Sequence, residues 1–302
     1  MSSALKRVLG ALGRGLAAVL QACPESLRIF LGRMLGWIWF DVLRIRRQVA
    51  IDNIQKAYPE LTRSQATQLA RRSLEHMGRG LIEFALFPGF TLAEAESRFV
   101  FEGEEHMRSA LAQGRGVLML SLHLGNGDFT VAALSRRGYK INLISKLFRA
   151  QWLNELWFGM RAAHGTRFIA PEKSSFEILK SLRRGEIVAF VLDQFMGPPI
   201  GCRTTFFGRE TGTAMGLAIM AERTAAPVVP SYTYRLDDGR HVCCFETPIP
   251  WSPQATSIVH DQGPDAHAVA AMTQVYTSKI EEIIRRHPEQ WMWIHRRWKN
   301  FG

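Results

Sequence analysis

The stretch GVLMLSLHLGNGDF, residues 116–129, carries the first decision about this chain. An apolar run, GVLML (116–120), leads into His123 and Asp128, with Gly125 and Gly127 between them. In a continuous helix a five-residue step rotates the second side chain about 140° past a full turn, so the two would diverge. In a strand they would lie on opposite faces, roughly 16 Å apart. They can meet only if the chain turns between them, and glycines permit the dihedral angles such a turn needs. The spacing predicts a strand ending in His123, a turn, and a helix starting near Asp128, with the two side chains facing each other.

Working outward, further β-rich runs alternate with helical segments: RFVFEG (98–103), KINLIS (140–145), EIVAFVLD (186–193) and PVVPSYTYR (227–235). Several are continuously apolar, as strands covered on both faces are. The expected class is α/β, a mixed, mostly parallel sheet flanked by helices. Ligand sites in such sheets lie beyond the carboxyl ends of the strands, where SLHLGNGD and VLDQ (191–194) both fall. The segment 194–213, rich in Gly and Pro, is expected to be a long irregular loop beside the site.

Residues 1–90 read as an N-terminal helical, membrane-associating segment and 91–302 as the α/β domain. Thr62 and Gln65 form a capping box ahead of ATQLARRSLEHMGRGLIEFAL (66–86), and FPGF (87–90) closes the section. LRIFLGRMLGWIWFDVL (27–43) is apolar but interrupted by Arg28, Arg33 and Asp41, too short and too charged for a span. With Trp37 and Trp39 and the flanking Arg44, Arg46 and Arg47, it reads as a helix lying in a membrane interface; a buried helix hairpin is the alternative.

The 302 residues, 47% hydrophobic, suffice for a full-sized core. The net charge of +11 is concentrated at the ends: nine Lys and Arg against three acids in 1–56, and five against one in 285–299. A localised basic surface suits an anionic partner such as a membrane or an acidic protein. No zinc finger, RNP sequence or glycine-clamp loop supports nucleic acid. Four cysteines form neither a disulfide framework nor a CxxC pair, and the histidines lack metal spacing, so no metal and no cofactor are expected.

A histidine oriented by a carboxylate is a general base suited to neutral pH. There is no GxSxG elbow or reactive-looking cysteine, so the base must act on a substrate hydroxyl or on water. HLGNGD resembles the His-x4-Asp/Glu motif of glycerolipid and lipid A acyltransferases. RRQVAIDNIQKAYPELT (46–62), VLDQ, FFGRETGTAMGLAIMAERTAAPVVP (206–230) and HPEQWMWIHRRWK (287–299) together resemble the late acyltransferases of lipid A biosynthesis over nearly the whole chain. Members of that family often carry Glu where this chain has Asp128.

The resemblance implies an enzyme at the cytoplasmic face of the bacterial inner membrane. It would move a fatty acyl chain from an acyl carrier protein, or coenzyme A, thioester to a hydroxyl of a membrane lipid acceptor such as a lipid A precursor. A lysophospholipid, an aminolipid or another glycolipid is the alternative acceptor. His123 would take the hydroxyl proton while Asp128 holds its other ring nitrogen, with no acyl-enzyme. By the same resemblance Lys146 and Arg161 occupy positions of basic residues near the site. Asp193, ending an apolar strand, reads equally as a buried structural group or a substrate contact. Arg296 and Arg297 are candidates for lipid phosphates or for the carrier protein's phosphopantetheine and acidic surface.

Overall fold

A computed structural model describes residues 3–145, 151–170, 174–253, 263–299 and 301. The sheet has seven strands: β1 (Phe99–Glu102), β2 (Val117–Ser121), β3 (Ile141–Ile144), β4 (Arg167–Ile169), β5 (Ile187–Val191), and, after a separate hairpin of β6 (Gly201–Phe206) and β7 (Arg209–Ala214), β8 (Val228–Arg235) and β9 (His241–Phe245). Their spatial order is β1-β9-β8-β2-β5-β3-β4, and only the β8–β9 pair is antiparallel. The expected α/β class with a mixed, mostly parallel sheet is thus observed.

The central strands are apolar throughout because both of their faces are buried. Leu118, Leu120, Val188 and Phe190 point into one core cluster, and their immediate neighbours Val117, Met119, Ile187 and Ala189 point into another. The first cluster is closed by α3 (Arg47–Ala57), α4 (Arg63–Ala85) and α11 (Gly263–Arg286), through residues such as Ile54, Leu74 and Ile283. The second is closed by α6 (Glu104–Ala112) and α7 (Gly127–Arg136), through Met107, Phe129 and Ala133. Helices α3 and α4, though within residues 1–90, therefore pack in the same core as the sheet. The capping box at Thr62 and Gln65 starts α4 as the sequence predicts.

Helix α2 (Glu25–Trp37) settles against α4 through glycines. A Cβ on Gly36 would lie 2.4 Å from the Glu75 Cα, and one on Gly78 would lie 2.2 Å from the Gly32 carbonyl oxygen, so the two backbones touch. The opposite side of α2 exposes Leu27, Phe30, Met34 and Trp37, a stripe at helical spacing, and a π-helical turn over Ile38–Leu43 extends it with Val42 and Leu43. The segment is at once one half of a buried helix pair and an apolar outer surface. Among the described residues no helix is long and apolar enough to cross a membrane.

The segment 194–213 departs from expectation. It holds the β6–β7 hairpin, turning at Phe207 and Gly208, both with positive φ as a tight two-residue turn requires. A Phe-Gly pair is not the Asn-Gly or Asp-Gly signal of such turns, and this hid the strands.

Arg297 also departs from expectation. It is fully buried, donating to the Gln194 carbonyl at 3.0 Å, to the Gly212 carbonyl and to the Thr213 hydroxyl at 2.6 Å, with its guanidinium over Phe206. Burial lowers its pKa to about 10, which still leaves it charged near neutrality. It clamps the hairpin to the chain after β5 and has no surface left for a lipid phosphate; its neighbour Arg296 is exposed. Arg297→Gln should lower the unfolding free energy by about 3–5 kcal/mol, since three buried acceptors lose a charged partner. Thermal and denaturant melting measure this, and an unchanged midpoint would refute the clamp.

Candidate active site

His123 follows the carboxyl end of β2, where three tethers fix the backbone. Its N–H donates to Asp193 Oδ2 at 2.9 Å, its carbonyl accepts the Met292 N–H at 3.1 Å, and the Gly125 N–H donates to the Gln290 carbonyl at 3.1 Å. Between them Leu124 forms an antiparallel bridge to Trp291. Gly125 has φ of +59°, and a Cβ there would sit 2.5 Å from the Thr233 carbonyl oxygen, so no other residue fits the turn. The chain then enters α7, capped by the Asn126 side chain, which accepts the Phe129 N–H. The strand, turn and helix are those predicted from the glycine spacing.

The predicted partner is not the one found. The Nδ1 of His123 lies 2.8 Å from Asp193 Oδ1, so Asp193, not Asp128, holds the ring. Asp128 sits in the first turn of α7 and pairs instead with Arg161 of α8 (Gln151–Ala162). The turn brings the start of α7 back beside the histidine, but the Arg161 guanidinium takes up the carboxylate there. Arg161 is itself buried, over the Trp157 ring at 4.5 Å. Asp193 and Arg161 therefore belong to the site geometry, and Asp128 reaches His123 through its charge rather than by a hydrogen bond. Lys146 lies outside the described residues.

Asp193 is completely buried, and its Oδ2 also accepts the Trp291 indole N–H at 2.7 Å. Burial alone would raise its pKa; the charge and hydrogen bonds of His123 and Trp291 outweigh this and hold the carboxyl well below the usual range. An ionised carboxylate can only accept, so His123 carries its proton on Nδ1 when neutral and presents the Nε2 lone pair outward. Near Nε2 stand Gln194, at 3.5 Å, and His295, whose ring centre is 5.1 Å from that of His123. Burial, followed by the charge on His123, pushes the His295 pKa down to about 4, which keeps that neighbour uncharged. Burial also pulls on His123, but the charge and hydrogen bond of Asp193, with help from Asp128 and against Arg161, carry its pKa above the ordinary 6.5.

Trp291, Gln194 and His295 were not singled out as site residues from sequence. Their motifs, VLDQ and WMWIH, carry part of the family resemblance, but nothing in a single chain ties position 193 to position 291. Among the described residues no three His, Cys, Asp or Glu side chains form a metal-binding group.

A strand-end histidine backed by a buried carboxylate, with a second acid and an arginine beside it, is an arrangement that can accept and release a proton. The family model for bacterial lipid A biosynthesis acyltransferases matches residues 2–300, so the chain belongs to that family and is an O-acyltransferase. It is similar to the lipid A biosynthesis lauroyltransferase of Escherichia coli (strain K12), at 26% identity over 95% of this chain and 90% of the relative. It is also similar to the lipid A biosynthesis palmitoleoyltransferase of the same strain, at 23% over 91% and 86%. A phosphatidylinositol mannoside acyltransferase of Mycobacterium tuberculosis (strain CDC 1551 / Oshkosh) is 26% identical over 75% of this chain and 69% of its own length.

With His123 as the base, which must be neutral to accept a proton, its raised pKa should place the ascending limb of kcat/KM above pH 6.5. Asp193→Asn removes the main groups raising that pKa and the acceptor fixing the tautomer. The limb should move to lower pH while turnover falls roughly 10²- to 10⁴-fold. Asp128→Asn should keep the tautomer and shift the limb less. A pH profile of each variant checks the order, and the reverse order would restore Asp128 as the orienting acid.

Proposed function

We propose that this chain transfers a fatty acyl group from an acyl carrier protein thioester to a hydroxyl of a lipid A-type glycolipid, at the cytoplasmic face of the bacterial inner membrane. The observation that carries the reading is the His123–Asp193 pair, with Nε2 facing outward beside the Gln194 amide, in a chain of this family. In this reading the acceptor hydroxyl attacks the thioester carbonyl as His123 Nε2 takes its proton. The Gly125 amide is committed to Gln290, which leaves the Gly127 and Asp128 amides at the start of α7, and the nearby Arg161, to stabilise the oxyanion. The tetrahedral intermediate then expels the thiolate, which recovers the proton from the imidazolium. No acyl-enzyme forms.

The exposed stripe of α2 supports a membrane surface as the place of reaction. Large apolar side chains such as Phe30, 61% exposed, and Trp37, 49% exposed, would insert at the interface with arginines around them. The mycobacterial relative favours a second acceptor class, a mannosylated phospholipid, with the same chemistry. Coenzyme A is the alternative donor.

Purified protein with labelled acyl carrier protein and extracted membrane lipid should yield an O-acylated glycolipid by mass spectrometry. His123→Ala should abolish at least roughly 10²- to 10⁴-fold of the rate, and rapid quench should trap no acylated protein. A stoichiometric acyl-enzyme would overturn direct transfer, and free fatty acid as sole product would make the chain a hydrolase. Phe30→Glu with Trp37→Glu should reduce vesicle flotation without changing the melting temperature; equal flotation would remove α2 from the contact.

A further inference from the structure

A second cavity, of about 540 Å³, opens on the outer side of the α2–α4 pair, against the end of β8 and the segment before Trp291. Arg33, Arg72 and Arg79 line it from the two helices, together with His76 and Glu75; Asp237, His287 and Glu289 line it from the far side. Arginines elsewhere in this part of the molecule are paired: Arg28 and Arg98 with Glu25, Arg71 with Asp41, Arg235 with Glu83. Among the described residues Arg33, Arg72 and Arg79 have no ion pair and no hydrogen-bond acceptor, and no carboxylate of the lining lies within 4.0 Å of any of them. Arg79 is only 5% exposed. An arginine buried to that degree with no ion pair, and with Glu83 and Glu25 acting on it only at longer range, is costly, and an anion placed in the cavity lowers the cost.

The neighbours fit the same conclusion. Burial, with the charges of Arg235 and Arg79, pushes the His76 pKa down to about 3, and its Nδ1 is buried without a partner. It therefore adds hydrogen-bonding capacity and no charge. Burial lowers the Arg79 pKa too, and nearby Arg235 adds to this, against the opposing charges of Glu83 and Glu25. A fork of guanidinium N–H groups from several arginines matches the tetrahedral oxygens of phosphate. Glu75, Asp237 and Glu289 are placed to accept hydroxyls of whatever carries it. The cavity shares a wall with the active-site turn. The Gln290 side chain bridges the Arg235 N–H and carbonyl at 2.7 and 2.9 Å, while the Gln290 carbonyl holds Gly125.

We propose that this cavity binds a phosphate monoester, with Arg79 at its floor and Arg33 and Arg72 at its rim, as a site separate from His123. The assignment goes beyond the acyl-transfer reading and does not depend on turnover. The test uses the full chain in two arms: equilibrium binding of glycerol 3-phosphate, and flotation on phosphatidylcholine vesicles with and without phosphatidic acid. Glycerol 3-phosphate should saturate at one per chain. Arg33→Gln with Arg72→Gln, at exposed positions that leave the fold intact, should weaken it roughly tenfold, and Arg79→Gln by more. His123→Ala, inactive in the acyl-transfer reading, should bind as the unmodified protein does, so the two proposals fail separately. Arginine-dependent binding of the soluble ester identifies a free phosphate compound as sufficient. Arginine-dependent capture only by phosphatidic acid identifies a lipid headgroup. Equal binding by the unmodified chain and the rim variant in both arms, or loss of binding in His123→Ala, would overturn the proposal.

Discussion

One buried carboxylate organises the centre of this molecule. Asp193 has no contact with solvent, and it accepts from the His123 backbone, the His123 ring and the Trp291 indole. An unpaired ion at that depth would cost several kcal/mol, and the three donors are what make it tolerable. The donors come from the end of β2 and from the chain after α11, and the carboxylate from the end of β5, so satisfying one charge fixes three distant segments. The same satisfaction sets the chemistry. With both oxygens occupied as acceptors, the imidazole has one tautomer available, and its Nε2 lone pair faces outward, toward the Gln194 amide at 3.5 Å. Stability of the core and the protonation pattern of the imidazole are here one constraint.

The supporting shell follows from the same need to pair buried polar groups. Arg297 ties the β6–β7 hairpin to the Gln194 carbonyl, next to Asp193, and Ser73 of α4 donates to the Trp291 carbonyl. Asn53 of α3 donates to the carbonyls of Trp293 and His295. On the other side of the turn, Glu83 of α4 accepts from Asn126 and from Arg235, holding the cap of α7 against β8. Helices from the first 90 residues thus brace the reaction loop from both sides. Their contribution to the site is mechanical as well as any they make to a membrane surface.

Much of this was legible in the chain. Continuous apolar runs at 116–122 and 186–193 announced strands buried on both faces, and the glycines at 125 and 127 announced the turn. The capping box at Thr62 announced α4. What the sequence hid was long-range. Strand β9, HVCCF, and short β4 carry no strong signal of their own. The hairpin turn uses an unusual residue pair. Above all, proximity in sequence favoured Asp128 as the partner of His123 over Asp193, seventy residues away. The local pair is plausible because the motif spans one turn, but α7 points its first-turn acid toward Arg161, and only the parallel β2–β5 register places Asp193 beside the ring.

The exchange of partners changes what the second acid does. With Asp193 holding Nδ1, Asp128 is free to neutralise Arg161, and the two form a charge pair beside the histidine rather than a support behind its ring. That placement suits groups that respond to charge developing on the substrate. Arg161 counters negative charge, and Asp128 limits how far Arg161 depresses the basicity of His123. A longer acid at position 128 can keep an ion pair with a flexible arginine. It could not so easily keep the fixed geometry that orienting an imidazole demands. An ion-pair partner at position 128 can thus be Asp or Glu, whereas Asp193, fully buried with donors on both oxygens, is held to one geometry.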